Sequence, residues 1–83
     1  SQVVRFKVDV SNAPYVETKP IHKSQKMIER LEDGSVIFEI NVINNQELQR
    51  EFLGFAEAIK VLSPPYLVKS MAYKFMKAKE NYD

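Results

Sequence analysis

Between Val36 and Ile43 apolar and mixed positions alternate along the chain. Val36, Phe38, Ile40 and Val42 are all apolar; Ile37, Glu39, Asn41 and Ile43 are mixed. A period of two means a strand, with the first set on a core and the second on a partly covered face. Asp33-Gly34 separates this run from a second strand-like stretch that starts at Gln25. An Asp-Gly pair signals a tight hairpin, because the turn needs positive φ, which Gly adopts freely and Asp tolerates. The hairpin Gln25–Ile43 is therefore the unit on which the chain is organised.

The flanking segments supply its neighbours. Val4, Phe6, Val8 and Val10 alternate with Arg5, Lys7 and Asp9, a half-buried strand. Ser11 or Asn12 then caps a short helix with Pro14 in its first turn, carrying Tyr15, Val16 and Thr18. Lys19-Pro20 stops it. A polar connection, Pro20–Gln25, enters the second strand, where Met27 and Leu31 share one face and Ile28 takes the other. That broken alternation among charged residues reads as an edge strand. After the hairpin, Asn44 with Glu47 three residues on resembles a capping box. The helix it opens carries Leu48, Phe52, Phe55 and Ala56 on one side and finishes near Gly54. Ala58–Leu62 is a short buried strand. Ser63 caps the last helix, with Pro64 at its first position and a stripe of Leu67, Val68, Met71, Ala72, Phe75 and Ala78. Lys69, Lys74, Lys77 and Lys79 lie mostly off the stripe.

The order strand, helix, strand, strand, helix, strand is that of a ferredoxin-like unit, βαββαβ. The expected fold is α+β, with a four-stranded antiparallel sheet and both early helices on one face. The additional C-terminal helix packs either on the sheet's exposed face or against something outside this chain.

Composition narrows the class. With 83 residues the chain makes one domain, residues 1–83, with a thin stability margin. A formal net charge of +1 implies no polyanionic partner by itself. There is no cysteine, which removes disulfides and thiolate metal sites and fits a cytoplasmic setting. No apolar run is long enough to span a membrane, so no membrane partner is expected. The chain opens on Ser1 and enters a strand pattern at once. That is expected of a segment cut from a longer protein, and equally of a processed start.

Candidate chemistry is sparse. His22 is the only histidine, too few for a metal site in a chain without cysteine, and reads as a solvated or hydrogen-bonded loop residue. Glu29 has Lys26 and Arg30 as nearby cations, and no carboxylate pair stands out as an acid and base. Ser63 reads as a cap rather than a nucleophile. The only glycines, Gly34 and Gly54, form no phosphate loop. Phe6 and Phe38 belong to apolar faces, so they read as core rather than as a base-stacking platform. One local signal is the charge between Lys19 and Arg30, with Lys19, Lys23, Lys26 and Arg30 against Glu29 alone. Its plain reading is edge protection. No cofactor and no enzymatic activity are expected.

Four pieces occur together in one order: Pro20-Ile21-His22-Lys23-Ser24-Gln25, Asp33-Gly34-Ser35-Val36, Phe52-Leu53-Gly54-Phe55-Ala56-Glu57, and Ile59-Lys60-Val61-Leu62-Ser63-Pro64. The series covers nearly the whole chain and resembles the C-terminal extension, or WCX domain, of bacterial WYL-domain transcription regulators. Two positions depart from the pattern: Ala56, where the family often has glycine, and Pro65, where an acidic residue often follows the proline.

The resemblance implies a parent protein with a winged helix-turn-helix, then a WYL domain, then this extension. DNA binding would belong to the parent. The extension would help in homodimerisation and in enclosing a nucleic-acid or nucleotide-like effector. His22, Ser24 and Gln25 match a polar family motif and are carried over as candidate ligand-binding residues. Lys23, Lys26 and Arg30 join them as candidate phosphate contacts. The rival expectation is a free-standing ferredoxin-like protein-interaction domain with no transcriptional role. An acylphosphatase-like enzyme would want an arginine in the loop after the first strand, where Ser11-Asn12-Ala13-Pro14 stands.

Overall fold

A computed structural model describes all 83 residues, Ser1–Asp83. The elements are strand β1 (Gln2–Val8), helix α1 (Ala13–Thr18), strands β2 (Lys26–Arg30) and β3 (Val36–Val42), helix α2 (Gln46–Gly54), strand β4 (Ile59–Ser63) and helix α3 (Pro65–Glu80). The sheet runs β2-β3-β1-β4, antiparallel throughout. This is the ferredoxin-like arrangement with a third helix added.

Alternation in the sequence becomes two faces of the sheet. Val4, Phe6 and Val8 on β1 and Val36, Phe38, Ile40 and Val42 on β3 are buried, with Phe6 directly opposite Phe38. From above, α1 adds Ala13 and Val16, and α2 adds Leu48 and Phe52. The Phe6 ring lies 5.7 Å from Phe38 and 5.2 Å from Phe52, both tilted, a favoured arrangement for aromatic pairs. Helix α3 joins the same core through Leu67 and Met71. It therefore lies in the helical layer beside α2, and the opposite face of the sheet stays open. A buried amide ties the two helices: Gln49 Oε1 accepts from Ser70 Oγ at 2.9 Å and from Lys74 Nζ at 2.7 Å.

Several local expectations are corrected. Strand β1 ends at Val8, and Val10 lies beyond it, its side chain against Gly34. The hairpin loop has three residues: Gly34 N–H donates to Leu31 O, and Leu31 N–H to Ser35 O. Of Asp33 and Gly34, only Gly34 has positive φ, at +88°. That is a turn followed by a left-handed glycine rather than a two-residue loop. The cap of α2 is Asn45, whose side chain accepts from Leu48 N–H at 2.8 Å. Asn44 instead accepts from Gln49 Nε2, so no Asn44–Glu47 box forms. Ser63 is the last residue of β4 and not a cap; Pro64 takes the cap position and Pro65 opens the helix. Ala58 belongs to a short 3-10 turn, Ala56–Ala58, that precedes β4.

Helix α2 ends at Gly54, as the sequence predicts. Gly54 is helical, and the left-handed residue is Ala56, with φ +51°. It sits two residues past the helix, where a chain reverses and glycine is the usual occupant. A glycine, which the family resemblance implies at this position, would adopt that backbone freely.

Two sets of substitutions test this architecture. Phe52→Ala removes the ring that closes the core from above and should cost about 3–5 kcal/mol, read by urea unfolding. A loss below about 1 kcal/mol would mean the faces are misassigned. Ala56→Gly relieves a left-handed backbone that costs about 1–2 kcal/mol, against a smaller chain-entropy loss. A Cβ at Gly54 meets open space, so Gly54→Ala has no steric penalty. Each of the two should stabilise by about 0.5–1 kcal/mol.

Candidate functional site

Pro20 ends α1, and the next five residues form a loop that is pinned at three points. Gln25 spans its base: Oε1 accepts from Ile21 N–H at 2.9 Å, and Nε2 donates to the Val16 carbonyl at 3.0 Å. His22 and Gln25 close a turn, with Gln25 N–H donating to His22 O. Ser24 N–H donates to His22 Nδ1 at 3.0 Å. A backbone N–H can only donate, so Nδ1 is an acceptor and the neutral ring carries its proton on Nε2. Ser24 Oγ accepts from Asn41 N–H at 2.8 Å. Its hydroxyl hydrogen has two acceptors, His22 Nδ1 at 2.7 Å and the Asn41 carbonyl at 3.3 Å. Ser24 thus continues the β2–β3 pairing with a side chain in place of a backbone.

His22, Ser24 and Gln25 are brought together, as one hydrogen-bonded unit that shapes the loop. His22 also lines a hollow of about 420 Å³ with Ile21, Asn41, Asn45, Glu47 and Glu51. Two carboxylates and no lysine or arginine line it, so it suits a hydrogen-bonding or cationic group better than a phosphate.

The three cations separate. Lys23 is exposed on the loop. Lys26 opposes Glu39 in the β2–β3 register and lies on the open face, with Nζ 3.3 Å from Glu39 Oε2. Arg30 opposes the buried Val36 and lies on the helical side, with Nη2 3.2 Å from Glu17 Oε1 of α1. A break in register between Met27 and Glu29 sets these faces. The partners expected from sequence are thus corrected: Glu39 and Glu17, not Glu29, neutralise these two cations.

Glu39 is the electrostatic hub of the open face. It also accepts from Arg5 Nε at 2.9 Å, so it joins β1, β3 and β2 in one row. The Arg5 hydrogen bond, opposed by partial desolvation and aided by Lys26, holds its carboxyl below the usual 4.5. At the hairpin, Asp33 accepts from Ser35 Oγ at 2.6 Å and Ser35 N–H at 2.9 Å. Chiefly through that hydroxyl, its carboxyl is held below the usual 3.8. Sequence reasoning missed Glu39, because its partners lie 34 and 13 positions away and only strand register joins them.

These shifts give a signed pH dependence. Both carboxyls are depressed in the folded state, so their contribution is fully present above 4.5 and 3.8 and is lost as pH falls through the folded values. In urea unfolding, wild type should exceed Glu39→Gln in stability at pH 7. The gap should narrow below pH 4.5 and close at lower pH. A gap that does not change with pH would contradict the assigned ion pairs.

Among known proteins, the family whose model matches is the WCX domain, over residues 1–78. No curated protein matches the chain. The matched span runs from the start of β1 to Ala78 in α3, so it includes every strand, the pinned loop and the added helix. The chain belongs to the WCX domain family.

Proposed function

We propose that this domain is the C-terminal regulatory module of a WYL-type helix-turn-helix transcription regulator in the bacterial cytoplasm, contributing to dimerisation and to effector sensing. The observation that carries the reading is the family match across residues 1–78. The domain would act by surface rather than by chemistry, with no catalytic step asked of any side chain. The effector would be an oligonucleotide or a nucleotide-like molecule, held between this domain and the WYL domain of the parent chain.

The α1–β2 loop supports a phosphate contact at one point and constrains it at others. Lys23 is exposed at the loop tip and has no carboxylate within ion-pair distance. Lys26 and Arg30 each have an internal carboxylate, so a phosphate there exchanges one anion for another and gains less. His22, Ser24 and Gln25 hold the loop that presents Lys23.

The test uses the intact regulator that carries this domain and a single-stranded oligonucleotide. Lys23→Glu with Lys26→Glu should weaken binding and lower the slope of log affinity against log salt by about 2. A merely unfolded loop would lower affinity without flattening the slope. Identical affinity and slope in the double variant would remove the phosphate role.

A further inference from the structure

Helix α3 has two sides. Leu67 and Met71 enter the core, with Val68 and Phe75 packed against it. On the side away from them Tyr66, Lys69, Tyr73, Met76 and Glu80 are all exposed. Their spacings are three, four, three and four, the period of a helix that pairs with a second helix along its length. The row runs about 21 Å at a rise of about 1.5 Å per residue. Its three large apolar members stand half open to water: Tyr66 is 51% exposed, Tyr73 59% and Met76 49%.

The charges in the row have an order. Lys69 precedes Tyr73 by one turn, and Glu80 follows Met76 by one turn. Turned end for end, the row presents Glu80 where Lys69 stood and Met76 where Tyr73 stood. A partner that matches every layer must carry an acid and a base in reverse order, and the chain itself is such a partner. Both charges are open to one. Lys69 has no carboxylate within ion-pair distance. Glu80 has Lys77 Nζ 3.1 Å from Oε1, which leaves Oε2 for a second cation.

We infer that two copies of this chain pair through α3, antiparallel, about a two-fold axis between Tyr73 and Met76. The inference names the surface for the dimerisation proposed above and rests on that reading for its role in the regulator. Each copy gives the same patch, so the contact closes on itself. Tyr73 packs on Met76 of the second copy, a thioether against an aromatic ring, and the symmetry repeats that layer. Lys69 meets Glu80 of the second copy at either end, and Tyr66 extends the contact over the end of the second helix. The charged layers add little affinity and fix direction instead. A parallel pair would set Lys69 on Lys69 and Glu80 on Glu80. An antiparallel pair centred on Tyr73 would set Lys69 on Lys77. In the register centred between Tyr73 and Met76, the flanking Lys77 and Lys79 fall opposite Ser70 and Ala72 of the second copy, so no lysine faces another. An acidic partner helix would leave Glu80 unmatched, and a basic one Lys69.

Sedimentation equilibrium of the 83-residue chain over a concentration series reads the proposal. Wild type should show a monomer–dimer equilibrium. Lys69→Glu and Glu80→Lys each set like charges in both end layers, and each should weaken association by at least about tenfold. The two changes in one chain reverse both signs and should restore it. A one-to-one mixture of the two single variants should dimerise like wild type, because each end layer again joins a lysine to a glutamate. Both positions are exposed, so circular dichroism spectra should not change. A monomer at every concentration would overturn the proposal, as would single variants that associate like wild type or a double variant that does not recover. In the intact regulator the single variants should weaken the dimer likewise. A dimer indifferent to them would remove α3 as the surface and leave the dimerisation reading standing, whereas a monomeric regulator would remove both.

Discussion

Phe6 stands on an inner strand, opposite Phe38 on the neighbouring one, and meets Phe52 from the helix above. Three segments far apart in sequence converge on that ring. The hairpin supplies Phe38, the first strand supplies Phe6, and the second helix supplies Phe52. A chain of 83 residues buries a modest fraction of its surface, so a few large side chains carry much of its stability. The remaining core is arranged around this trio, with Val4 and Ile40 on one side and Val8 and Val36 on the other. Because all the buried groups lie on one side of the sheet, the fold has two layers, and the second face of the sheet is left to charge and solvent.

That arrangement was largely legible in sequence. Strict alternation in β1 and β3 set both the strands and their inward faces, since a shift of one residue would expose Phe6 and Phe38 together. The element order gave the ferredoxin-like unit, and the crossover rule put both early helices on one face. Errors cluster at element ends, where neighbouring residues offer the same chemistry. Asn44 and Asn45 are both competent caps, and tertiary demand decides: Gln49 takes Asn44 as an acceptor and leaves Asn45 for Leu48. Ser63 looked like a cap by type, yet backbone pairing with β1 keeps it in β4. Helix α2 does stop at Gly54 as expected, but the residue that takes the left-handed turn after it is Ala56, an alanine. A residue that bears strain is invisible to propensity, because propensity expects the residue that would not.

The candidate site was legible only in composition. The polar run His22–Gln25 was found, but its meaning depends on what each group faces. Ser24 spans 17 residues to reach Asn41, and Gln25 reaches back nine to Val16. Those bonds shape the loop and leave Lys23 as its exposed charge. Lys26 and Arg30 are four apart on a strand, which by simple alternation would share a face. The irregular register at Ile28 puts them on opposite faces. Charge proximity in sequence therefore did not become charge proximity in space. The reverse held for Arg5, Glu39 and Lys26, which are distant in sequence and adjacent in the sheet.

The added helix shows how far stability alone explains the molecule. Six elements complete the ferredoxin-like unit, and α3 then seals its flank through Leu67, Met71 and the Gln49 bridge. Val68 and Phe75 are half-buried and pack against the same core, so the stripe is wide and the helix is seated on the unit rather than appended to it. Near its partner strand β4, Lys60 and Lys7 stand opposite each other, and Asp9, Asp33 and Glu57 line the same hollow as the two lysines. A like-charge pair across strands is destabilising alone, and the carboxylates around it offset that repulsion. The two edges of the sheet are finished alike: β2 has a register break at Ile28 and β4 one at Leu62, and each break takes its edge out of regular pairing with a further strand.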